Sequence, residues 1–294
     1  MQFPLVAAGL TVGFLVGLIG MGGGAVLTPL LVLLFRVSPL AAISSDLLTS
    51  LVMMPVGAAV HLRHGTVNWR LVRWLAVGSV PAAVAGSVLI GSIGHVPGVQ
   101  ADLRLAIGIA LCTSVAMTLL RQVLDRQSTG EHDHEPLIVH PLRTAAIGVV
   151  GGFAVGMTSV GGGSLIIGLL LIAYPRKLRA VTLAGTGIVQ AIPLVAAATV
   201  GHLLYGDVHL AVIISLLIGA LPGVYLGARL STRGPSAVIR PLIVAVLLAS
   251  GLTLLEVPTA LVLVAAVAGL ATTFFLRAPR PAPVTRELEP VDAE

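Results

Sequence analysis

Two runs of three adjacent glycines interrupt the longest apolar stretches of the chain and are its first candidates for chemistry. They are Gly22 to Gly24 and Gly161 to Gly163, and each should break a helix into two short pieces. The backbone N–H groups that begin the second piece then lack partners, and the helix dipole adds partial positive charge there. Each break is therefore suited to bind an anion, with help at the second one from the hydroxyls of Ser159 and Ser164. The plainer interpretation is that the glycines only permit close helix packing.

A second group of polar residues lies near the start of the next apolar segment. Asp46 follows Ser44 and Ser45 there, and an acid inside a membrane segment is costly enough to be a functional hypothesis. Thr186 and Gln190 occupy the matching region of the second half, so Ser45, Thr186 and Gln190 join the candidate substrate-binding residues. Asp46 is the candidate for coupling to a proton or another cation. The alternative is an acid that caps a helix near the outer interface.

The composition defines the environment in which these residues act. Of 294 residues, 56% are hydrophobic and 10% are charged, with a mean hydropathy of +1.04, whereas soluble domains carry roughly 25% charged residues. This excludes a soluble enzyme and predicts a multi-pass integral membrane protein, embedded in the lipid bilayer. The basic residues lie between apolar blocks rather than in one patch, so no nucleic acid partner is expected. The single cysteine, Cys112, cannot form an internal disulfide, and no metal or other cofactor is expected.

Nine apolar blocks approach or exceed the roughly 20 residues needed to cross a bilayer. They are residues 4–35, 40–62, 70–91, 102–121, 142–174, 180–204, 208–230, 236–255 and 257–276. The glycine triplets split the first and fifth blocks, which are the two longest. We expect a first transmembrane repeat at 4–121 and a second at 142–255, joined by a cytoplasmic linker at 122–141. An additional transmembrane helix at 257–276 and a disordered tail at 277–294 follow.

The two halves repeat one pattern of glycine, histidine and proline. Adding 139 to the residue number maps Gly9, Gly13 and the first triplet onto Gly148, Gly152 and the second triplet. Adding 141 maps the later signatures, including His61 onto His202 and Pro81 onto Pro222. Both prolines fall inside predicted helices and are candidate hinges. The alternative is that they only shape the bundle. A repeated unit of this size in an apolar chain is typical of secondary transporters, whose site forms at the repeat interface.

The basic residues indicate how the halves are oriented. If each split block returns to the side it came from, 15 of the 17 Lys and Arg residues fall on one side and only Arg36 and Arg104 on the other. The positive-inside bias then predicts inverted repeats, with the N-terminus outside and the linker and C-terminal tail in the cytoplasm. Two thin crossings for each split block would give the same bias, so re-entrant and twice-crossing segments both stay open.

The chain resembles the sulfite exporter TauE/SafE family, also called the toluenesulfonate uptake permease group. The resemblance rests on the stretch from Gly17 to Gly24 followed by Pro29, on its counterpart from Gly156 to Gly163, and on the repeated histidine and proline signatures. It covers about residues 5–255. It implies transport of a small sulfur-containing anion, such as sulfite or an organosulfonate, across the cytoplasmic membrane.

The predicted fold is an all-α polytopic membrane protein. It comprises two inverted repeats, each a glycine-broken re-entrant hairpin plus three transmembrane helices, with an extra C-terminal helix. The predicted function is a secondary transporter that works by alternating access and holds its anion on the backbone N–H groups of both triplets. A passive anion channel and an intramembrane enzyme or assembly factor are the alternatives. The chain is not expected to be an enzyme, and a homo-oligomer is compatible with the sequence.

Overall fold

The computed structural model describes residues 3–19, 24–63, 65, 67–96, 98–127, 138–174, 180–231 and 239–275, and these ranges contain helices and no strand. The helices are α1 (Phe3–Ile19), α2 (Gly24–Leu33), α3 (Pro39–Arg63), α4 (Trp69–Ile93), α5 (Val99–Gln127), α6 (Pro141–Thr158), α7 (Ser164–Ala173), α8 (Ala180–Tyr205), α9 (Leu210–Ser231), α10 (Ile239–Leu254) and α11 (Thr259–Phe275). Six of them, α3, α4, α5, α6, α8 and α9, are long and apolar enough to cross a bilayer. The predicted all-helical, multi-pass class is confirmed.

The two longest apolar blocks each contain two of the described helices. In the first block α1 ends at Ile19 and α2 begins at Gly24, and residues 20–23, which include Gly22 and Gly23, lie outside the described residues. The second is split into α6 and α7 by residues 159–163. Each block therefore forms a longer helix followed by one of ten residues.

The chain reverses its direction at the second break. Ser159 adopts a left-handed conformation with φ of 57°, and its N–H donates to the carbonyl of Val155 at 2.7 Å. Gly161 has φ of 103°, which side-chain-bearing residues rarely adopt. Beyond it, α7 returns along α6, since Gly162 lies beside Val155 and Gly151 lies against Ile166.

Glycines bring the first helix of each half against the fourth helix of the other half. A Cβ on Gly9 of α1 would overlap the carbonyl of Leu216 on α9, and a Cβ on Gly148 of α6 would overlap the carbonyl of Leu75 on α4. These two contacts are equivalent under the offsets of 139 and 141 read from the repeat. α1 thus packs on α9 as α6 packs on α4, with backbones close enough to exclude any side chain between them.

α3 and α8 are equivalent in the repeat, and they pack antiparallel at the centre of the bundle. Ser44 near the start of α3 contacts His202 near the end of α8, while Asn68, beyond the end of α3, contacts Thr186 near the start of α8. The spans in these helices are also the most buried of the six, at 67% and 61%, whereas the other four are between 33% and 44% buried.

The paths of α4, α5 and α9 relate to three features predicted from the sequence. α5 continues to Gln127, beyond the boundary at residue 121 expected from the sequence. Pro81 and Pro222 lie inside α4 and α9, which continue through them, and both prolines are exposed on the outside of the bundle. The centre of the linker and the tail from 277 lie outside the described residues.

Candidate functional site

A small cavity lies where the two broken helices meet, between the two repeats. Its volume is about 30 Å³, enough for about two water molecules. Ser50 and Met54 of α3, Val195 of α8 and Leu247 of α10 line it, and each lies near the middle of its helix. The rest of its wall is formed by Gly24, Ala25, Asp46, Leu47, Val155, Ser159, Gly161, Gly162, Gly163 and Ser164.

The whole second triplet, together with Ser159 and Ser164, therefore lines one cavity, as does Gly24 of the first triplet. A Cβ on Gly24 would overlap the carbonyl of Ser159, so the two breaks are in direct contact. Gly22 and Gly23 lie outside the described residues.

The start of α7 presents unpaired backbone N–H groups at this cavity. The N–H of Leu165 donates to the carbonyl of Gly161 at 2.9 Å. No described residue accepts a hydrogen bond from the N–H of Gly162, Gly163 or Ser164, and no side chain caps the helix. These N–H groups and the positive end of the helix dipole make the break a suitable anion site.

Different structural constraints act on Gly161 and Gly162 of the second triplet. Gly161 is required by its positive φ. Gly162 has no positive φ, and a Cβ there would meet only the side chain of Val155, at an ordinary contact distance of 3.6 Å. A side chain at Gly162 would instead occupy part of the cavity that this residue lines.

Asp46 is the acidic group of the site, and it is 1% exposed. The Thr28 hydroxyl donates to Oδ2 at 3.1 Å, the Ser50 hydroxyl donates to Oδ1 at 3.2 Å, and the Ser159 hydroxyl is in direct contact with Oδ2. The hydroxyls of Thr28 and Ser159 are 2.8 Å apart. The cluster therefore joins α2 and α3 of the first repeat to the α6–α7 break of the second.

The carboxyl group of Asp46 is not neutralised by a basic side chain of the described residues, none of which forms an ion pair with it. Burying an uncompensated carboxylate is costly. An anion in the same cavity would add repulsion, since like charges about 4 Å apart repel by about 4 kcal/mol at an effective dielectric constant of about 20. The ionised carboxylate would therefore oppose an anion in this cavity, whereas the protonated carboxyl group would not.

Thr28 and Ser50 are parts of the site that the sequence interpretation missed. Ser50 follows Asp46 by one helical turn, so the i, i+4 spacing could have identified it. Nothing in the local sequence pairs Thr28 with Asp46, because they lie on different helices.

Ser45, Thr186 and Gln190 line no part of this cavity, although all three are buried. The Thr186 hydroxyl accepts the N–H of Asn68 at 3.0 Å, and the Gln190 amide donates to the Ser79 hydroxyl at 2.7 Å. Ser45 Oγ and Gln190 Oε1 have no hydrogen-bond partner among the described residues. Thr186 therefore contacts Asn68, just before the start of α4, and Gln190 contacts Ser79, in the middle of α4.

His202 lies close to the second break rather than at the surface. Its Nε2 donates to the carbonyl of Gly156 at 2.9 Å, and its Nδ1 is 3.0 Å from Ser44 Oγ. Gly156 belongs to the last turn of α6, where carbonyls lack partners within the helix. The carbonyl that His202 binds therefore belongs to α6 and not to the end of α8, where His202 itself lies. The side chain of His61 lies outside the described residues.

No group of three or more His, Cys, Asp or Glu side chains placed to bind a metal occurs among the residues with described positions. The exposed pair Asp207 and His209, with atoms 3.4 Å apart, lies at the start of α9.

Over most of its length the chain is similar to a known protein family and to proteins named as probable membrane transporters. Residues 5–254 match the family model described as Sulfite exporter TauE/SafE. The probable membrane transporter protein YjnA of Bacillus subtilis is 35% identical, over 87% of this chain and all of its own length. The probable membrane transporter protein YdhB of the same organism is 25% identical, over 83% of this chain and 96% of its own. A probable membrane transporter protein of Xylella fastidiosa is 26% identical, over 78% of this chain and 84% of its own. No solved structure matches.

Proposed function

The chain belongs to the sulfite exporter TauE/SafE family, and from this premise we propose that it is a secondary transporter of a small sulfur-containing anion. The anion crosses the cytoplasmic membrane by alternating access, held on backbone N–H groups of the two glycine breaks. The observation that carries this proposal is the cavity between the repeats, where unpaired N–H groups of Gly162, Gly163 and Ser164 meet Gly24 of the other break.

Backbone recognition suits a small oxyanion. Non-helical backbone at membrane depth is tolerated where protein or a water-filled cavity surrounds it, and transporters use broken helices at the repeat interface for this purpose. A cavity of about 30 Å³ favours a compact anion such as sulfite over a bulky aromatic sulfonate.

The repeats are proposed to be inverted in the membrane. The antiparallel packing of the equivalent helices α3 and α8 supports inversion, because parallel repeats would place them in the same direction. Within the bundle, α4 runs parallel to α8, since Ser79 contacts Gln190 and Ser87 contacts Gly201. The unequal distribution of Lys and Arg between the two sides supports an orientation of the whole chain in which the N-terminus is outside and the tail is in the cytoplasm.

A binding screen tests this function. Purified protein is heated with sulfite, sulfate, thiosulfate, methanesulfonate or acetate, and the unfolding temperature is recorded. An anion at 100 times its Kd stabilises the native state by about 2.7 kcal/mol, so at least one sulfur oxyanion should raise the unfolding temperature, and acetate should raise it less.

Gly162→Ala provides the decisive comparison. Its methyl group should block the anion, and loss of a charge-assisted hydrogen bond of about 1.5 to 3 kcal/mol lowers affinity about tenfold to a hundredfold. His209→Ala, at an exposed site away from the cavity, is the control and should bind normally. The proposal fails if no sulfur oxyanion binds or if Gly162→Ala binds as tightly as the wild type. Concentrative uptake then separates a coupled carrier from a passive channel.

A further inference from the structure

Asp46 shares its cavity with the N–H groups that hold the anion, and its charge must be balanced there. We propose that Asp46 binds one proton that travels with the anion, so that anion and proton cross the membrane together in a ratio of one to one. This inference rests on the proposed function, which supplies the anion.

The geometry around Oδ2 of Asp46 suits a carboxyl group that gains and loses a proton. Asp46 Oδ2, Ser159 Oγ and Thr28 Oγ1 form a closed triangle in which each oxygen is within hydrogen-bond reach of the other two. When Asp46 is protonated, Oδ2 donates to Ser159, Ser159 donates to Thr28, and Thr28 donates back to Oδ2. Every oxygen of the triangle then gives one hydrogen bond and receives one.

The ionised form of Asp46 uses the same three oxygens. Ser159 and Thr28 then both donate to Oδ2, while Ser50 donates to Oδ1 in either state. Rotation of hydroxyl hydrogens is enough to pass between the two forms, so proton exchange requires no movement of the helices.

A metal cation fits this cluster less well than a proton. The three oxygens are already in contact, with 2.8 Å between Thr28 Oγ1 and Ser159 Oγ. A cation bound by all three would have to separate them and displace their mutual hydrogen bonds. A proton adds charge without adding volume.

Asp46 is the ionisable group that faces the anion site. Other titratable or charged side chains described on the helices that line the cavity, or directly after them, are Arg63, Arg143, Tyr174, His202, Tyr205 and Glu256. None of these six forms a hydrogen bond or ion pair with Asp46. His202 instead binds Ser44 and Gly156, and α2 contains no ionisable residue.

The proton is taken and released in balance with the anion. Water on the open side gives a proton to the ionised Asp46 carboxylate, and the anion then binds beside a neutral acid. After the cavity opens to the other side, the anion leaves and the proton returns to water there.

The test measures protons and anions in one experiment. Purified protein is reconstituted into liposomes that contain a pH-sensitive dye, with potassium and valinomycin on both sides to hold the membrane potential at zero. Radiolabelled sulfite or methanesulfonate is added outside, in sodium-free buffer that starts mildly acidic on both sides, so that sulfite is present as its singly charged form. Neither monoanion then takes up or releases a proton on entry, so a proton that enters with it has been carried by the protein.

We expect the lumen to acidify by about one proton for each anion that enters. Asp46→Asn cannot exchange a proton, so its ratio should fall to zero at whatever rate remains. Asp207→Asn makes the same chemical change at the exposed pair with His209 and should keep the wild-type ratio.

Three results would overturn the inference. They are anion entry into wild-type liposomes without acidification, a strict requirement for sodium, and an unchanged ratio in Asp46→Asn. The first two need no variant, so poor folding of Asp46→Asn does not weaken the test. If neither anion enters through the wild type either without sodium or with sodium added, the proposed function fails, and the inference fails with it.

Discussion

Ser44 of α3 and His202 of α8 lie 3.0 Å apart, Oγ to Nδ1, at the place where the two central helices begin and end. The other ring nitrogen of His202 binds the carbonyl of Gly156, in the last turn of α6. One imidazole thus connects three helices and satisfies a carbonyl that the break in α6 leaves free. This gives His202 a structural role at the edge of the proposed anion site.

His202→Ala should lower the stability of the protein. It leaves the Gly156 carbonyl buried without its donor, at a cost of about 1 to 3 kcal/mol. His202→Gln can still present an N–H to this carbonyl and should recover part of the loss. Thermal unfolding in detergent measures both, with the exposed His209→Ala as the control. Equal unfolding temperatures for His202→Ala and the wild type would contradict this role.

Glycine variants should separate packing from binding. A Cβ on Gly152 would overlap the backbone of Ser79, and one on Gly13 would overlap the backbone of Ala220. Gly13→Ala and Gly152→Ala should therefore lower the unfolding temperature, by the equivalent of about 1 to 3 kcal/mol. Gly162→Ala, with room for a methyl group, should unfold close to the wild type but bind the anion weakly.

Unfolding scans with and without sulfite read out both properties for each variant. A stable Gly152→Ala protein would argue against close packing of α6 on α4, and a strongly destabilised Gly162→Ala would argue against free space beside that residue.

The hairpin of α6 and α7 should depend on a hydrogen-bond cluster at its base. Tyr174 Oη accepts the N–H of His140 at 2.9 Å and lies 2.7 Å from Thr144 Oγ1. The offset of 139 places Phe35, which has no hydroxyl, at the equivalent position of the first repeat. Tyr174→Phe should destabilise the protein by about 1 kcal/mol, whereas Phe35→Leu removes no hydrogen bond from its hairpin. Thermal unfolding that is unchanged in Tyr174→Phe would contradict a contribution of this cluster.

Topology can be measured directly with single cysteines in a chain without Cys112. A membrane-impermeant thiol reagent added to intact cells should label a cysteine at Pro97 but not at Glu131 or in the tail. All three sites should react after permeabilisation. Labelling of the tail from outside, or of Glu131 and the tail on opposite sides, would defeat the inverted orientation.

The local consequences of glycine were predictable from the sequence, and so was the equivalence of the halves. The second triplet lies between α6 and α7, as glycine's low helix propensity predicts, and the repeat offsets already relate the contact of Gly9 with Leu216 to that of Gly148 with Leu75. The repeat predicts a site at the interface between the halves, but it does not predict the contact of Gly24 with Ser159 that the structure shows.

The direction of individual side chains was much less predictable. α8 is apolar over most of its length, so its sequence carries little periodicity to show which side faces the cavity. The sequence predicts Thr186 and Gln190 as site residues because they are polar and match the region of Asp46 in the repeat, yet their partners are Asn68 and Ser79. Thr28 was missed for the same reason, because its contact with Asp46 depends on how α2 packs on α3.

The pairing of α1 with α9 also determines when the protein can complete its structure. At a synthesis rate of about 5 to 20 residues per second, the roughly 200 residues between Gly9 and Leu216 take about 10 to 40 seconds to be made. During that interval α1 has left the ribosome, but α9, which packs against the groove formed by the glycines of α1, does not yet exist. The first half must therefore persist in the membrane with an unfilled groove, and its biogenesis depends on the insertion machinery or lipid covering α1 until α9 arrives.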